Sequence, residues 1–250
     1  MTSAGGPVPA SLGYPVAILA GGTATRMRPL TERVPKALLE VAGQPFVAHQ
    51  LTLLRGQGVT DVVLCVGHLG DQIEAFVGDG ARWGVRVRYS LDGPTLLGTG
   101  GAIRRALPLL GDAFFVTYGD SYLPVALAAV ARAFEAQGQP ALMTVFRNDN
   151  QWGASNVLFE GGRIVRYDKA ARTPEMRYID YGLSVLSAPA LNAYPADAAF
   201  DLSHVFQDLV GQGRLAAAEV TTRFYEIGSP DGLRATEALL AGEGPRDDPQ

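Results

Sequence analysis

The chain has 250 residues, of which 47% are hydrophobic and 18% charged, and its formal net charge is −4. These values indicate a compact domain and argue against a nonspecific nucleic-acid binder, which needs a surplus of Lys and Arg. No apolar stretch approaches the roughly 20 residues that span a bilayer, and no cationic segment precedes the first apolar run, so a cytoplasmic protein without nucleic-acid or membrane partners is predicted.

Short apolar segments bounded by Gly, Pro and Asp alternate with longer segments of helical periodicity. This alternation is typical of strand-helix-strand units around a parallel sheet. The predicted elements of the first half are, in order, a strand and turn at 15–22, a helix at 44–58, a strand at 61–67, a short helix at 71–80, a strand at 85–91, a helix at 98–111, a strand at 113–120 and a helix at 120–138.

From residue 140 onward, strand-like segments predominate. The pair Gly161-Gly162 indicates a hairpin, and Ser229 is predicted to cap the last helix with Pro230 at its first position. The predicted elements are a strand at 140–148, a hairpin at 155–169, a strand at 178–187, a helix at 201–213, a strand at 217–228 and a helix at 229–242.

Both ends of the chain are rich in small and polar residues. Segments 1–14 and 241–250 contain many Gly, Pro, Ser and Asp residues, which predicts tails without fixed structure. Residues 15–240 are therefore predicted to form a single domain.

The loop after the first strand, AGGTATR at 20–26, combines small residues with a cation. In open parallel sheets, ligands lie beyond the carboxyl ends of the strands, and this loop is the usual phosphate site. Gly21 and Gly22 allow backbone amides to approach a polyphosphate, and Arg26 can add a charged contact. Neither the P-loop nor the dinucleotide-binding pattern fits, so a tight turn with exposed arginines stays an alternative on this loop alone.

The loop is also the first part of a longer series of motifs along the chain. GGTATRMRPLT followed by VPKALLEVAGQP resembles the opening motif of the sugar-1-phosphate nucleotidyltransferases, G-G-x-G-T-R-x-x-P-x-T and then P-K. LLGTGGAI, YGDSY, YDK, YIDYG and FYEIGSPDG follow in family order, so the resemblance covers about residues 15 to 235. It implies a Rossmann-like three-layer α/β nucleotidyltransferase fold with a mostly parallel mixed sheet. Residues 15–135 would form the nucleotide-binding part, and residues 136–240 the sugar-binding part.

The resemblance also implies an activity. These enzymes join a nucleoside triphosphate to a sugar 1-phosphate, forming a nucleotide sugar and releasing pyrophosphate. Arg26, Lys36 and Asp120 match the family's catalytic positions. Asp120 and Glu226 match its metal-binding positions, which implies Mg²⁺ as cofactor, although the family generally has aspartate where Glu226 stands.

Further matches concern substrate binding. The implied nucleotide-binding residues are Ala20, Gly21, Gly22, Thr23, Arg26, Gly98, Thr99 and Gly100. The implied sugar phosphate-binding residues are Asn156, Asp168, Lys169, Asp180 and Gly182. A helix-opening turn would account equally well for the glycines after Leu97. Hairpins also carry charged residues for solubility, which is the alternative explanation for the charged residues of the sugar-binding part.

Several alternatives stay open. Ala24 stands where the family favours glycine, and if the backbone there has a positive φ, alanine costs roughly 1 kcal/mol. A non-catalytic regulatory paralogue that binds nucleotide sugars is therefore an alternative to an active enzyme.

LGTGGA resembles the heptose 1-phosphate guanylyltransferases, which favours heptose or another cell-surface sugar. A choline-phosphate cytidylyltransferase would need an aromatic cage near residues 178–181. The base, the sugar and a homo-oligomeric state are not determined.

Overall fold

The structure, a computed structural model, describes residues 11–22, 27 and 29–243. Its helices are α1 (Phe46–Gly56), α2 (Gly70–Val77), α3 (Gly98–Leu110), α4 (Leu127–Gln137), α5 (Leu202–Gly211) and α6 (Pro230–Leu240). Its strands are β1 (Val16–Leu19), β2 (Glu40–Val41), β3 (Gln44–Pro45), β4 (Asp61–Val66), β5 (Arg86–Leu91), β6 (Ala113–Tyr118), β7 (Ser121–Tyr122), β8 (Ala141–Arg147), β9 (Val157–Glu160), β10 (Arg163–Tyr167), β11 (Tyr178–Ser187), β12 (Leu215–Val220) and β13 (Tyr225–Glu226).

The central sheet has the strand order β10-β9-β11-β6-β1-β4-β5, and β8 and β12 extend it from β11. Strand β1 pairs in parallel with β4 and β6, and β4 pairs in parallel with β5. Strand β11 runs antiparallel to β6 and β8, whereas β12 is parallel to β8. The predicted α/β class with a mostly parallel mixed sheet is confirmed.

Helices cover both faces of the sheet. Val16 and Ile18 of β1 belong to the core beneath α1, α2 and α4, whereas Ala17 belongs to the core beneath α3 and α5. Side chains alternate between the two faces of a strand, so a strand that is buried on both faces is apolar throughout. This arrangement gives the three predicted layers. No helix in the described part of the chain is long and apolar enough to cross a bilayer.

Two predicted elements differ from those observed. The helix predicted from Asp120 begins only at Leu127, and the strand predicted at 217–228 ends at Val220 and resumes as β13. Both differences have one cause, because β7 and β13 pair antiparallel with each other outside the main sheet. Periodicity is a property of neighbouring residues, so it does not predict a pairing between segments that are far apart in the sequence.

The N-terminal boundary of the domain also differs from the prediction of a tail through residue 14. The amide of Leu12 donates to the Gly58 carbonyl at 3.0 Å, and the Tyr14 ring packs edge-on against Phe115. Residues 11–14 are thus attached to the core. The predicted hairpin is confirmed by the antiparallel pair β9–β10, and Ser229 caps α6 by accepting from the Gly232 amide at 3.0 Å.

Candidate active site

The main cleft lies at the carboxyl ends of the central parallel strands. Its lining includes the turn that follows β1, the start of α3 and the residues that follow β6, with these members: Leu19, Ala20, Gly21, Gly22, Lys36, Ala37, Asp92, Leu96, Gly98, Thr99, Ala102, Tyr118, Gly119 and Asp120. This is the position that an open parallel sheet favours for a ligand. The predicted residues Ala20, Gly21, Gly22, Lys36, Gly98, Thr99 and Asp120 therefore share one cleft.

Three predicted residues of the first loop, Thr23, Ala24 and Arg26, lie outside the described residues. Their assigned roles stay predictions. Gly22 lies next to them, and a Cβ at that position would meet no atom of the described residues within 4 Å. Gly21 differs, because a Cβ on it would lie 3.0 Å from the Gly67 nitrogen, and the turn packs closely on the neighbouring strand end.

A charged cluster lies at the edge of the main cleft. Lys36 begins a short 3-10 helix after Pro35, and its Nζ lies 2.8 Å from Asp120 Oδ2. Pairing of β7 with β13 sets Glu226 opposite Ser121, and the Ile227 amide donates to the Asp120 carbonyl at 2.9 Å. The fold thus brings together Lys36, Asp120 and Glu226, which belong to three distant segments of the sequence.

Gly228 marks the point where these three side chains meet. A Cβ on Gly228 would lie 2.6 Å from Glu226 Oε2, 3.2 Å from Asp120 Oδ2 and 3.4 Å from Lys36 Nζ. A side chain at this position would therefore displace the carboxylate of Glu226.

The Glu226 carboxylate lies beneath the N-terminus of α6. Its two oxygens accept hydrogen bonds from the Gly228 amide and the Ser229 hydroxyl. Both donors fix the direction of the carboxylate, which lies at the positive end of the helix. Glu226 is therefore oriented by its surroundings although it is one methylene longer than aspartate.

The residues present fit a magnesium ion in part. Among the described residues, no group of three or more His, Cys, Asp and Glu side chains is arranged to hold a metal. However, Mg²⁺ is usually held by one or two carboxylates, with substrate phosphates and water as the other ligands. Asp120 and Glu226 supply two carboxylates next to the main cleft, which matches that requirement once a phosphate is bound.

The predicted nucleotide-binding residues at the start of α3 differ in their surroundings. Gly98 and Thr99 line the main cleft, but Gly100 does not. The Gly100 amide donates to the Phe200 carbonyl at 2.9 Å, and a Cβ on Gly100 would collide with the Phe200 ring. Gly100 therefore packs against the segment before α5, and its predicted contact with a base stays a prediction.

The sugar-side residues fall into two groups. In the first group, Lys169 Nζ lies 5.7 Å from the Tyr118 ring centroid and 5.8 Å from that of Tyr167. Asp180 accepts from the Tyr167 hydroxyl and from the Gly182 amide, both at 3.0 Å. A Cβ on Gly182 would lie 3.6 Å from the Tyr118 ring, so this group reaches the main cleft through Tyr118.

In the second group, hydrogen bonds to backbone amides occupy the side chains of Asp168 and Asn156. Asp168 Oδ1 accepts from the amides of Ala170 and Ala171 at 2.9 and 2.7 Å, and these bonds lower the pKa of its carboxyl group. Asn156 Oδ1 accepts from the Asp180 amide at 2.9 Å. Asp168 thus stabilises the loop that carries Lys169, whereas Asn156 holds the backbone of β11 at Asp180. The predicted sugar contacts of both residues stay predictions.

Two residues near the site, Gln50 and Asp201, were not predicted from the sequence. Gln50 of α1 is 3% exposed, and its Nε2 donates to the carbonyls of Tyr118 and Ser121 at 2.9 and 2.8 Å, on either side of Asp120. Asp201 caps α5 by accepting from the Ser203 amide at 2.8 Å. Burial raises the pKa of Asp201, but hydrogen bonds from Ser203 and the charge of Lys169 outweigh it, so the pKa is lowered overall. The only sequence signal for Asp201 was its position before a helix.

Comparison with known proteins agrees with this geometry. The model of the nucleotidyl transferase family matches residues 16–155. An N-acetylmuramate alpha-1-phosphate uridylyltransferase from Neisseria meningitidis is 47% identical over 89% of this chain and 96% of its own length. An enzyme of the same name from Caulobacter vibrioides is 30% identical over 90% of this chain and 96% of its own.

A solved structure from Bacillus anthracis, described as a glucose-1-phosphate thymidylyltransferase in complex with sucrose, superposes with a TM-score of 0.80. It is 22% identical, and the match covers 90% of this chain and 94% of that one. This similarity shows the shared fold. Together with the family model and the two relatives, it shows that the chain belongs to the nucleotidyl transferase family, among the sugar-1-phosphate nucleotidyltransferases.

Proposed function

We propose that this protein is a magnesium-dependent uridylyltransferase that joins UTP to N-acetylmuramate 1-phosphate and releases pyrophosphate. The observation that carries the proposed chemistry is the meeting of Lys36, Asp120 and Glu226 next to the glycine turn of the main cleft. The proposed base and sugar follow the two uridylyltransferases named above, whose similarity to this chain extends over nearly their full length.

In the proposed reaction, an oxygen of the sugar phosphate forms a bond to the α-phosphorus of UTP while the bond to the departing pyrophosphate breaks. Both reactants are anions, so catalysis consists mainly of charge neutralisation and alignment. Among the described residues that line the main cleft, Lys36 is the cation, and its ammonium group, already paired with Asp120, would be shared with the phosphates. Arg26, which lies outside the described residues, is proposed to neutralise the departing pyrophosphate.

Asp120 and Glu226 are proposed to hold the magnesium ion. When bound, Mg²⁺ would supply positive charge that neutralises the phosphates and favours attack at phosphorus. The chain itself orients both carboxylates, since Gln50 holds the backbone on both sides of Asp120 and the start of α6 holds Glu226.

The choline-phosphate alternative receives little support from residues 178–181. Tyr181 is 2% exposed and packs against Phe146 and Phe224, and Tyr178 packs against Phe159, so this segment presents no open aromatic cage. The predicted preference for heptose is neither supported nor contradicted. Heptose therefore remains one of the sugars to be tested.

A pyrophosphate-release assay tests this proposal. The protein is incubated with Mg²⁺, one of UTP, CTP, GTP, ATP or dTTP, and one acceptor from N-acetylmuramate, N-acetylglucosamine, glucose and heptose 1-phosphates and phosphocholine. We expect UTP with N-acetylmuramate 1-phosphate to react fastest, and EDTA to stop the reaction. Asp120→Asn should lower turnover by about a hundredfold or more, because it removes charge from the reacting centre.

Asp71→Asn is the matched control, because Asp71 is exposed at the start of α2 and should leave the rate unchanged. A wild-type rate for Asp120→Asn would contradict the role of that residue. If triphosphates raise the melting temperature but no combination releases pyrophosphate, the protein is a binding paralogue and the catalytic proposal fails.

A further inference from the structure

A second cleft borders the charged cluster at Glu226. It lies between the loop that follows β8, strand β13 and the start of α6, and it is lined by Gln151, Trp152, Gly153, Arg223, Phe224, Tyr225, Glu226, Ser229, Asp231, Gly232 and Ala235. Glu226 belongs to this lining and also meets Asp120 and Lys36 at Gly228. The second cleft therefore begins at the proposed reacting centre.

A cation lines this cleft without an acidic partner. The Arg223 guanidinium carbon lies 4.7 Å from the Trp152 ring centroid and 4.9 Å from that of Tyr225. Its Nε is buried, and no described residue accepts a hydrogen bond from it. Ion pairs among the described residues do not include Arg223. Leaving a buried, charged donor unpaired costs free energy, so the site favours an anion that supplies the acceptor.

The nearby acids are already engaged elsewhere. Glu226 accepts from Gly228 and Ser229, and Asp231 is paired with Arg234. The two aromatic rings hold the guanidinium group in place through cation-π contacts. A planar guanidinium matches a carboxylate well, because two parallel N–H groups can donate to its two oxygens.

We infer that Arg223 binds a carboxylate carried by the sugar 1-phosphate and so selects acidic sugars over neutral ones. This inference rests on the proposed function, in which the acceptor N-acetylmuramate carries such a carboxylate on its lactyl ether. The sugar would extend from the reacting centre at Glu226 into the second cleft. A cationic acceptor would be repelled by Arg223.

The test compares two acceptors that differ only in the lactyl ether, N-acetylmuramate 1-phosphate and N-acetylglucosamine 1-phosphate. With UTP and Mg²⁺, KM for each acceptor and for UTP is measured for the wild type and for Arg223→Gln. We expect Arg223→Gln to raise KM for the acidic acceptor by about tenfold or more, and to leave KM for the neutral acceptor and for UTP within about twofold. Arg177→Gln is the matched control, because Arg177 is exposed and paired with Asp149.

Equal losses on both acceptors would show a structural role for Arg223 and overturn the inference, as would an unchanged KM for the acidic acceptor. A wild-type enzyme that uses neutral sugar 1-phosphates but discriminates against N-acetylmuramate 1-phosphate would also overturn it, while leaving nucleotidyl transfer itself in place. Absence of turnover with every acceptor would instead count against the proposed function. A preserved melting temperature for Arg223→Gln shows that the variant is folded.

Discussion

Gln50 shows how a single residue outside the predicted site can determine the position of a predicted one. Its Nε2 donates to the carbonyls of Tyr118 and Ser121, and Asp120 lies between these two residues. Its Oε1 is buried and has no hydrogen-bond partner among the described residues. The amide group of Gln50 therefore acts as a hydrogen-bond donor, and the bonds it donates hold the turn that presents Asp120.

Replacing Gln50 with methionine keeps the volume but removes the donor. We expect Gln50→Met to lower the free energy of unfolding by about 1–3 kcal/mol, because two carbonyls lose a buried hydrogen bond. Urea unfolding measures this change. Gln72→Met is the control, since Gln72 makes an exposed bond to the Arg33 carbonyl and its loss should cost less than about 0.5 kcal/mol.

If Gln50 also positions Asp120, the variant should need more Mg²⁺ to reach half its maximal rate. An unfolding free energy equal to that of the wild type would contradict the role given to these hydrogen bonds.

Some of the predicted site residues lie within local sequence patterns, and the structure brings them to one cleft. Asp120 follows a predicted strand, and Lys36 follows a proline in a motif, and both lie in the main cleft. Trp152 and Arg223 are far apart in sequence and belong to no periodic pattern. Their contact depends on the packing of a loop against β13, so local sequence did not predict it.

Among the elements, the short pair β7–β13 has the largest consequence for the site. Each strand has two residues, too few for a period-two pattern, and the partners lie in different halves of the chain. For this reason the predicted helix at 120–138 began too early and the predicted strand at 217–228 was too long. The same pairing sets Glu226 next to Asp120, which only the family resemblance implied.

A substitution at Gly228 tests whether the position of Glu226 next to Asp120 matters for turnover. Gly228→Ala places a methyl group against the Glu226 carboxylate, 3.2 Å from Asp120 Oδ2, so we expect turnover to fall by about tenfold or more. Gly211→Ala is the matched control, because a Cβ on Gly211 at the end of α5 meets no atom of the described residues within 4 Å. Steady-state rates and melting temperatures of both variants provide the comparison. Equal rates for the two variants would contradict the placement of the charged cluster.

At the scale of the whole molecule, the sheet divides into a parallel part and an antiparallel part. Strands β5, β4, β1 and β6 form the parallel part, and their carboxyl ends border the main cleft. This part was predictable because buried parallel strands read as apolar runs between helices. The antiparallel part was predicted as strands, but the order in which they pair was not, since it depends on contacts between β11 and three neighbours.

The central claim is that Asp120 and Glu226 hold a divalent ion where the two substrates meet. A crystal structure with a non-hydrolysable UTP analogue and Mn²⁺ tests it most directly, because the anomalous signal locates the ion. We predict an ion bound by Asp120, by Glu226 and by phosphate oxygens in the main cleft. An ion bound away from either carboxylate, or a triphosphate bound outside the main cleft, would contradict this assignment.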